Sequence, residues 1–189
     1  MLALAAAELA SREQGDVQLV HGDATALPFP DASFDSAIAT QVYEWIPDIR
    51  KAVAELHRVL RSDGRAVVLD SDWQTLVWHA DDYPRNSRIA KRWRARLAHP
   101  HLPRTLAHEL TQAGFVVENT EVFVIHDREG DPGSYSRLQA DHMAHAVTAA
   151  GSGPHDEAGA WLDDLAARAT EGDYFFSLNR YMFLARRAA

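Results

Sequence analysis

Small and polar residues stand at the carboxyl ends of two predicted strands, where they are available for ligand chemistry: Gly22, Asp23 and Ala24 after the first strand, and Thr40 and Gln41 at the end of the second. Ligands of open parallel sheets bind beyond the carboxyl ends of the strands. Asp23 offers a hydrogen-bond acceptor there, although capping a turn is also a common role for aspartate. We therefore expect a small-molecule site at this edge of the sheet.

The elements that position these residues follow from the pattern of apolar side chains. Short apolar runs predict strands at 17–21, 34–40 and 65–70, and a helical repeat predicts a helix from Pro47 to about Arg61. A strand, a helix and a strand at this spacing indicate a parallel βαβ unit. Further elements are predicted at 2–13, 84–98, 103–113, 132–149 and 155–170 as helices, and at 115–125 and 175–187 as strands. We expect one α/β domain over residues 1–189.

The charge balance argues against a nucleic-acid partner. The chain of 189 residues has a formal net charge of −8, whereas binding to a phosphate backbone needs clustered cations. Six cations lie between Arg85 and Arg96, but such a run most often forms the solvated face of a helix. We expect no nucleic-acid partner.

Cysteine and histidine give no indication of a metal site. The chain has no cysteine, which excludes disulfides and thiolate ligands and is compatible with a cytoplasmic protein. His142 and His145 would share a helical face, with His155 following, but no pattern of acidic ligands accompanies them. No apolar stretch has the length that a bilayer requires, so we expect no membrane partner either.

The order of several motifs resembles the class I methyltransferases that use S-adenosylmethionine (SAM), and in particular their small-molecule, type 11 branch. The matching segments are 17–35 (VQLVHGDATALPFPDASFD), 39–48 (ATQVYEWIPD), 54–64 (AELHRVLRSDG) and the last two predicted strands, which together cover nearly the whole chain. The resemblance implies a Rossmann-like sheet, mostly parallel, that ends in an antiparallel hairpin with a helical insert at about 127–172.

The resemblance also implies roles for the residues at the strand ends. SAM is the implied cofactor, and a small molecule is the implied methyl acceptor. In the family, the acidic residue at the position of Asp23 accepts a hydrogen bond from the adenine amino group, with Gly22 and Ala24 beside it. Thr40 and Gln41 are expected near the sulfonium and the methionine part. Trp45 either covers the adenine or fills the core.

The implied acceptor pocket follows the third predicted strand and contains Asp72, Trp73, Trp78 and His79. These side chains would shape or polarise an acceptor; in the alternative interpretation the two tryptophans pack the loop onto the domain. Methyl transfer needs mainly alignment of the acceptor, and it needs a base only where the acceptor must lose a proton. No catalytic base is assigned.

The resemblance begins after the family's glycine-rich cofactor loop, so the N-terminal strands of the family sheet have no counterpart in this sequence. We therefore expect unpaired strand edges and weak binding of SAM by this chain alone. A homodimer that completes the sheet is one expected arrangement. The alternative function is that of a truncated, non-catalytic methyltransferase-like fragment that acts as an interaction module.

Overall fold

The computed structural model describes residues 5–7, 9, 17–149 and 155–189. The strands are β1 (Phe34–Thr40), β2 (Leu60–Ser71), β3 (Val77–Trp78), β4 (Phe115–Asp127) and β5 (Phe176–Arg187). The helices are α1 (Ile49–Val59), α2 (Tyr83–Arg94), α3 (Pro103–Gln112), α4 (Tyr135–Ala149) and α5 (His155–Glu171). Most of the helix predicted at 2–13 lies outside the described residues.

The strands form one mixed sheet in which β5 has a central place. β1 pairs with β2 in parallel, with Thr40 opposite Leu69. β5 runs antiparallel to β2, β3 and β4. The predicted α/β fold and its C-terminal antiparallel hairpin are confirmed. Parallel pairing is less common than expected, because in the described part of the chain only β1 and β2 pair in that way.

The segment 17–21 forms no strand, which corrects the sequence-based prediction. Its residues are exposed, and no described strand pairs with them. A strand needs a neighbour for its backbone hydrogen bonds, so a β-branched sequence is insufficient here. Among the described residues β1 pairs with β2 alone, and Ile38 in the middle of β1 is 74% exposed. β1 is therefore an edge strand with an apolar surface.

Helix α1 connects the two parallel strands. Its start is set by Asp48, whose carboxylate accepts a hydrogen bond from the Lys51 N–H at 3.0 Å. Pro47 thus precedes the cap and does not occupy the first turn, where the sequence pattern had placed it. The inner face of α1 buries Ala52, Val53 and Leu56, and this apolar face holds the helix against the sheet.

Two buried clusters form the core. The first lies between α1, α3 and the sheet and includes Val53, Leu56, Leu106, Leu110 and Phe183. The second lies between α2, α4, α5 and the other half of β5 and includes Trp93, Met143, Trp161, Leu165 and Phe176. Because β5 contributes to both clusters, the helices between β4 and β5 are tied to the strand that completes the hairpin. In the described ranges, no helix has the combination of length and apolar character needed to cross a membrane.

Candidate functional site

A cavity of about 740 Å³ lies at the carboxyl end of β1 and brings together most of the residues predicted to hold a cofactor. Its lining comprises Gly22, Asp23, Ala24, Gln41, Val42, Trp45 and Ile46. The volume falls in the usual range of small-molecule pockets. Thr40 lies in a neighbouring groove along β1, so it is the predicted residue that the structure places apart from the others.

Asp23 both caps a turn and presents a free acceptor to the cavity. One carboxylate oxygen, Oδ1, accepts hydrogen bonds from the Thr25 N–H at 2.8 Å and from the Thr25 hydroxyl at 2.9 Å. These bonds lower the pKa of Asp23, so the group is ionised at neutral pH. The other oxygen, Oδ2, has no hydrogen-bond partner in the described part of the chain. The two interpretations of Asp23 from the sequence therefore describe different oxygens of one carboxylate.

Two side chains of α1 hold the loop that follows Asp23, and we call this pair, Glu55 and Arg58, the α1 clamp. Glu55 Oε2 accepts from the Leu27 N–H at 2.8 Å. Arg58 donates to the Leu27 carbonyl at 3.0 Å and to the Phe29 carbonyl at 2.8 Å. Glu55 and Arg58 also pair with each other at 2.8 Å. Because 17–21 is not in the sheet, these contacts position the loop.

Gly22 allows the two ends of this loop to approach closely. A Cβ at Gly22 would lie 2.9 Å from Cδ of Pro28, a distance shorter than van der Waals contact allows. A side chain at this position would therefore push the proline away and change the wall of the cavity.

The opposite wall of the cavity is formed by Gln41 and Trp45. Gln41 has a positive φ of 56°, a conformation uncommon for residues other than glycine. Its Oε1 accepts from the Ser71 hydroxyl at 2.9 Å. Trp45 is 40% exposed and packs edge-on against Trp93 at 5.8 Å between ring centroids. Trp45 is thus partly in the core and partly open to the cavity.

Asp72 and Trp73 are buried beneath the edge of the sheet. Asp72 accepts from Arg104 Nε at 2.8 Å and from the Gln74 N–H at 3.1 Å, so it caps the short helical turn Trp73–Thr75. Trp73 Nε1 donates to Glu44 Oε2 at 2.8 Å. Both residues have full sets of protein contacts, and a role toward an acceptor stays a prediction.

Trp78 and His79 lie farther along the same segment. Trp78 is 3% exposed, donates to the Tyr174 hydroxyl at 3.0 Å and packs against Trp161. His79 lies near the surface, with its Nε2 3.7 Å from an Asp173 carboxylate oxygen. The burial of Trp78 agrees with the packing interpretation of this tryptophan, and no contact assigns either residue to a ligand.

Two buried carboxyl groups beside the site, those of Glu44 and Asp70, were not predicted from the sequence. Asp70 is the penultimate residue of β2 and is fully buried, and neither carboxyl oxygen has a partner with normal hydrogen-bond geometry. Burial and the nearby Glu44 carboxylate raise the pKa of Asp70 to about 8, although the N–H groups of Val42 and Glu44 partly offset the shift. Burial also raises the pKa of Glu44. The signal in the sequence was the aspartate at the end of an apolar run, RAVVLD.

The predicted histidine pair gives no metal site in the described part of the chain. No group of three or more metal-binding side chains occurs there. His142 instead packs edge-on against Trp93, at 5.2 Å between ring centroids.

Comparisons with known proteins show similarity to methyltransferases in sequence and in fold. The family model described as "Methyltransferase domain" matches residues 1–68. A demethylmenaquinone methyltransferase of Geobacillus kaustophilus is 37% identical over 76 residues, which is 40% of this chain and 32% of that protein. The crystal structure of the YcgJ protein from Bacillus subtilis aligns with a TM-score of 0.60 at 20% identity, over 100% of this chain and 79% of that one.

The first third of the chain is thus similar to methyltransferases in sequence, and the aligned crystal structure has the same fold. The chain covers 25–56% of the length of the first curated relatives that it matches. A further solved methyltransferase, phosphoethanolamine N-methyltransferase 2 of Haemonchus contortus in complex with S-adenosyl-L-methionine, aligns with a TM-score of 0.53 at 14% identity, over 100% of this chain and 41% of that chain.

The residues around the cavity have a chemistry that fits the adenosine end of SAM. Asp23 Oδ2 is an acceptor for an exocyclic amino group, and the exposed part of Trp45 is an aromatic surface for a base. The cavity wall is otherwise apolar, with Ala24, Val42 and Ile46. This combination of one acceptor, one aromatic ring and apolar contacts suits a purine.

Proposed function

We propose that this chain takes part in SAM-dependent methyl transfer to a small molecule, with the adenine of SAM bound at Asp23. The observation that carries the proposal is the single cavity shared by Gly22, Asp23, Ala24, Gln41 and Trp45. SAM supplies a methyl group activated on a sulfonium, so the protein contributes mainly binding and orientation.

Each side chain of the cavity has a part in this proposal. Asp23 accepts from the adenine amino group, Trp45 lies along the base, and Gln41 and Thr40 contact the part of the cofactor nearer the sulfonium. The acceptor lies on the side of Asp72, Trp73, Trp78 and His79. Trp73 acts there through its hydrogen bond to Glu44, which fixes the position of that carboxyl group.

The names of the relatives support a small acceptor. One acts on a demethylmenaquinone and another on phosphoethanolamine, so the family fold serves acceptors of different chemistry. We propose a cytoplasmic location, because a chain without cysteine is compatible with a reducing compartment.

Ligand-observed NMR with S-adenosylhomocysteine tests the proposal even where binding is weak. We expect saturation to pass from the protein mainly to the adenine protons H2 and H8 and less to the methionine methylene protons, because the described cavity contacts the base. Asp23→Ala should reduce the adenine signals several-fold, since one charge-assisted hydrogen bond is lost.

Asp163→Ala is the control, since Asp163 is an exposed aspartate of α5 and does not line this cavity. The proposal fails if saturation is equal over the whole ligand, or if both variants lose it equally. Absence of any signal would favour the alternative of a non-catalytic fragment.

We also propose that a second copy of the chain completes the sheet at β1. The observation in favour is an apolar groove of about 460 Å³ along this edge, lined among others by Phe29, Ala37, Ile38, Val42 and Leu56. Exposed edge strands readily pair with other chains. Docking of a second β1 edge would cover Ile38 and provide hydrogen-bond partners for the backbone.

A further inference from the structure

A row of polar contacts crosses the carboxyl edge of the sheet, from the end of β1 to helix α4. Ser71 Oγ donates to Gln41 Oε1 at 2.9 Å and accepts from Arg180 Nε at 3.3 Å. Arg180 Nη2 donates to the Tyr135 hydroxyl at 2.8 Å, and the guanidinium carbon lies 4.8 Å from the centroid of the tyrosine ring. We call these four side chains the Arg180 network.

The Arg180 network contains more donors than acceptors. Gln41 Nε2 is buried and has no partner. Over the ranges that the structure describes, Arg180 Nη1 makes no hydrogen bond, and no carboxylate oxygen comes within 4.0 Å of the guanidinium. The Tyr135 hydroxyl accepts from Arg180, which leaves its own hydrogen to donate. Buried donors in folded proteins are nearly always paired, and Gln41 Nε2 is such a donor without a partner. Arg180 and Tyr135 are half-buried beside it, so the network lacks a group rich in acceptors.

The backbone of Gln41 supports a ligand-binding role for the network. Its φ of 56° is unfavourable for a residue with a side chain, and such conformations cluster at functional sites. Here the conformation follows directly on the last residue of β1 and places the amide beside Ser71. The same residue lines the cavity of Asp23, so the network adjoins the proposed cofactor site.

The nearby carboxyl groups balance the charge of Arg180 only in part. Arg180 is near enough to Glu44 and Asp70 to lower the pKa of each. Burial has the larger effect and raises the pKa of Asp70 to about 8, so this group is largely uncharged at neutral pH. Glu44 is the other carboxyl group facing the guanidinium, and its Oε2 is already used by Trp73.

An apolar surface lies next to the guanidinium. Phe123 of β4 is the cross-strand partner of Arg180 and is 44% exposed. Cross-strand partners project from the same face of a sheet, so the phenylalanine ring flanks the Arg180 network. A cation beside an exposed aromatic ring suits a ligand that has an anionic oxygen on a flat apolar body.

We propose that Arg180, Gln41 and Tyr135 bind an anionic oxygen, either a carboxylate or a phenolate, of an aromatic methyl acceptor. That the ligand is a methyl acceptor rests on the proposed function, whereas the anion site rests on the contacts of the Arg180 network. Arg180 Nη1 and Gln41 Nε2 donate to the oxygen, the Tyr135 hydroxyl donates a further hydrogen bond, and Phe123 contacts the ring. Ser71 positions Gln41 and Arg180 and does not itself touch the ligand.

Titration of the chain with benzoate, with 4-nitrophenol at a pH where it is ionised, and with neutral benzamide tests this site. We expect both anions to bind more tightly than benzamide. Arg180→Met should weaken anion binding by about tenfold or more, because a charge-assisted contact is lost. Tyr135→Phe keeps the ring and should weaken it by about threefold. Dependence on Arg180 for benzoate alone identifies a carboxylate ligand, and dependence for 4-nitrophenolate alone identifies a phenolate.

Arg50→Met is the matched control, since Arg50 is 82% exposed and lies on α1, away from the network. Circular dichroism of each variant monitors folding, and Tyr135→Phe serves as the decisive variant if Arg180→Met does not fold. The proposal is overturned if neither anion binds the parent chain, or if the variants and the control bind equally well. S-adenosylhomocysteine NMR on the same samples reports separately on the proposed function.

Discussion

At the scale of single residues, Asp70 is a carboxyl group that the fold keeps away from water. Its pKa of about 8 lies above the ordinary value of 3.8 because burial and Glu44 disfavour the charged form. The folded chain therefore binds a proton at Asp70 that the unfolded chain has released over this interval. Stability from this group is present below the ordinary pKa and is lost as the pH rises toward about 8.

Asp70→Asn should remove this loss of stability at higher pH, because the amide keeps the shape of the side chain and carries no charge. We expect the free energy of unfolding of the variant to exceed that of the parent by about 2 kcal/mol near the folded-state pKa, with a smaller difference in acid. Urea unfolding at a series of pH values measures the difference. Asp163→Asn, at an exposed position of α5, should give a curve parallel to that of the parent. A curve for Asp70→Asn that is parallel to that of the parent would contradict the raised pKa of Asp70.

At the scale of elements, the tight turn between α3 and β4 depends on Gly114. This residue has a φ of +97°, and a Cβ there would lie 2.9 Å from His57 Nε2. Both facts oppose any side chain at the position. The turn joins the helix that covers the first cluster to the long strand of the hairpin.

Gly114→Ala should lower the free energy of unfolding by about 1–3 kcal/mol, because it strains the backbone and displaces His57. Gly133→Ala is a matched control: a Cβ there meets no atom within 4 Å, and the change should stay within about 0.5 kcal/mol. Urea denaturation with an unchanged m-value measures both. Equal effects of the two substitutions would show that the turn is not strained.

The sequence predicted most elements, and its failures have physical causes. β1, β2, β4 and β5 were found because each is a long run with apolar residues. The segment 17–21 has the same composition but no described partner strand, and β3 has only two residues. Amino-acid composition does not show whether a partner strand is present, and it does not reveal a strand of only two residues.

The candidate site likewise contains residues that the sequence predicted and contacts that it did not. The sequence predicted that Asp23 and Gln41 lie close together, and both line one cavity, although the strand expected before Asp23 is not formed. The contacts of Glu44 with Trp73 and of Ser71 with Arg180 join residues 29 and 109 positions apart. Such pairs depend on how segments distant in the sequence come together in the fold, which no local pattern in the sequence contains.

At the scale of the whole molecule, the exposed side of β1 is the surface at which we propose that copies of the chain associate. If a second copy covers this edge, the chain should be a dimer in light scattering, and Ile38→Glu should make it a monomer, because a charge would be buried in an apolar groove. Leu138→Glu is the control, since Leu138 is 58% exposed on α4. A parent chain that is monomeric at every concentration, or a dimer unaffected by Ile38→Glu, would refute the homodimer.

The α1 clamp acts on the cavity of Asp23 without lining it. The loop with Asp23 is held by Glu55 and Arg58 before any ligand arrives. A loop ordered in advance loses less conformational entropy on binding. A substitution at Arg58 would therefore shorten the residence time of the proposed purine ligand, although the residues that line the cavity would be unchanged. The affinity for the proposed purine ligand would then depend on a helix that does not line its cavity.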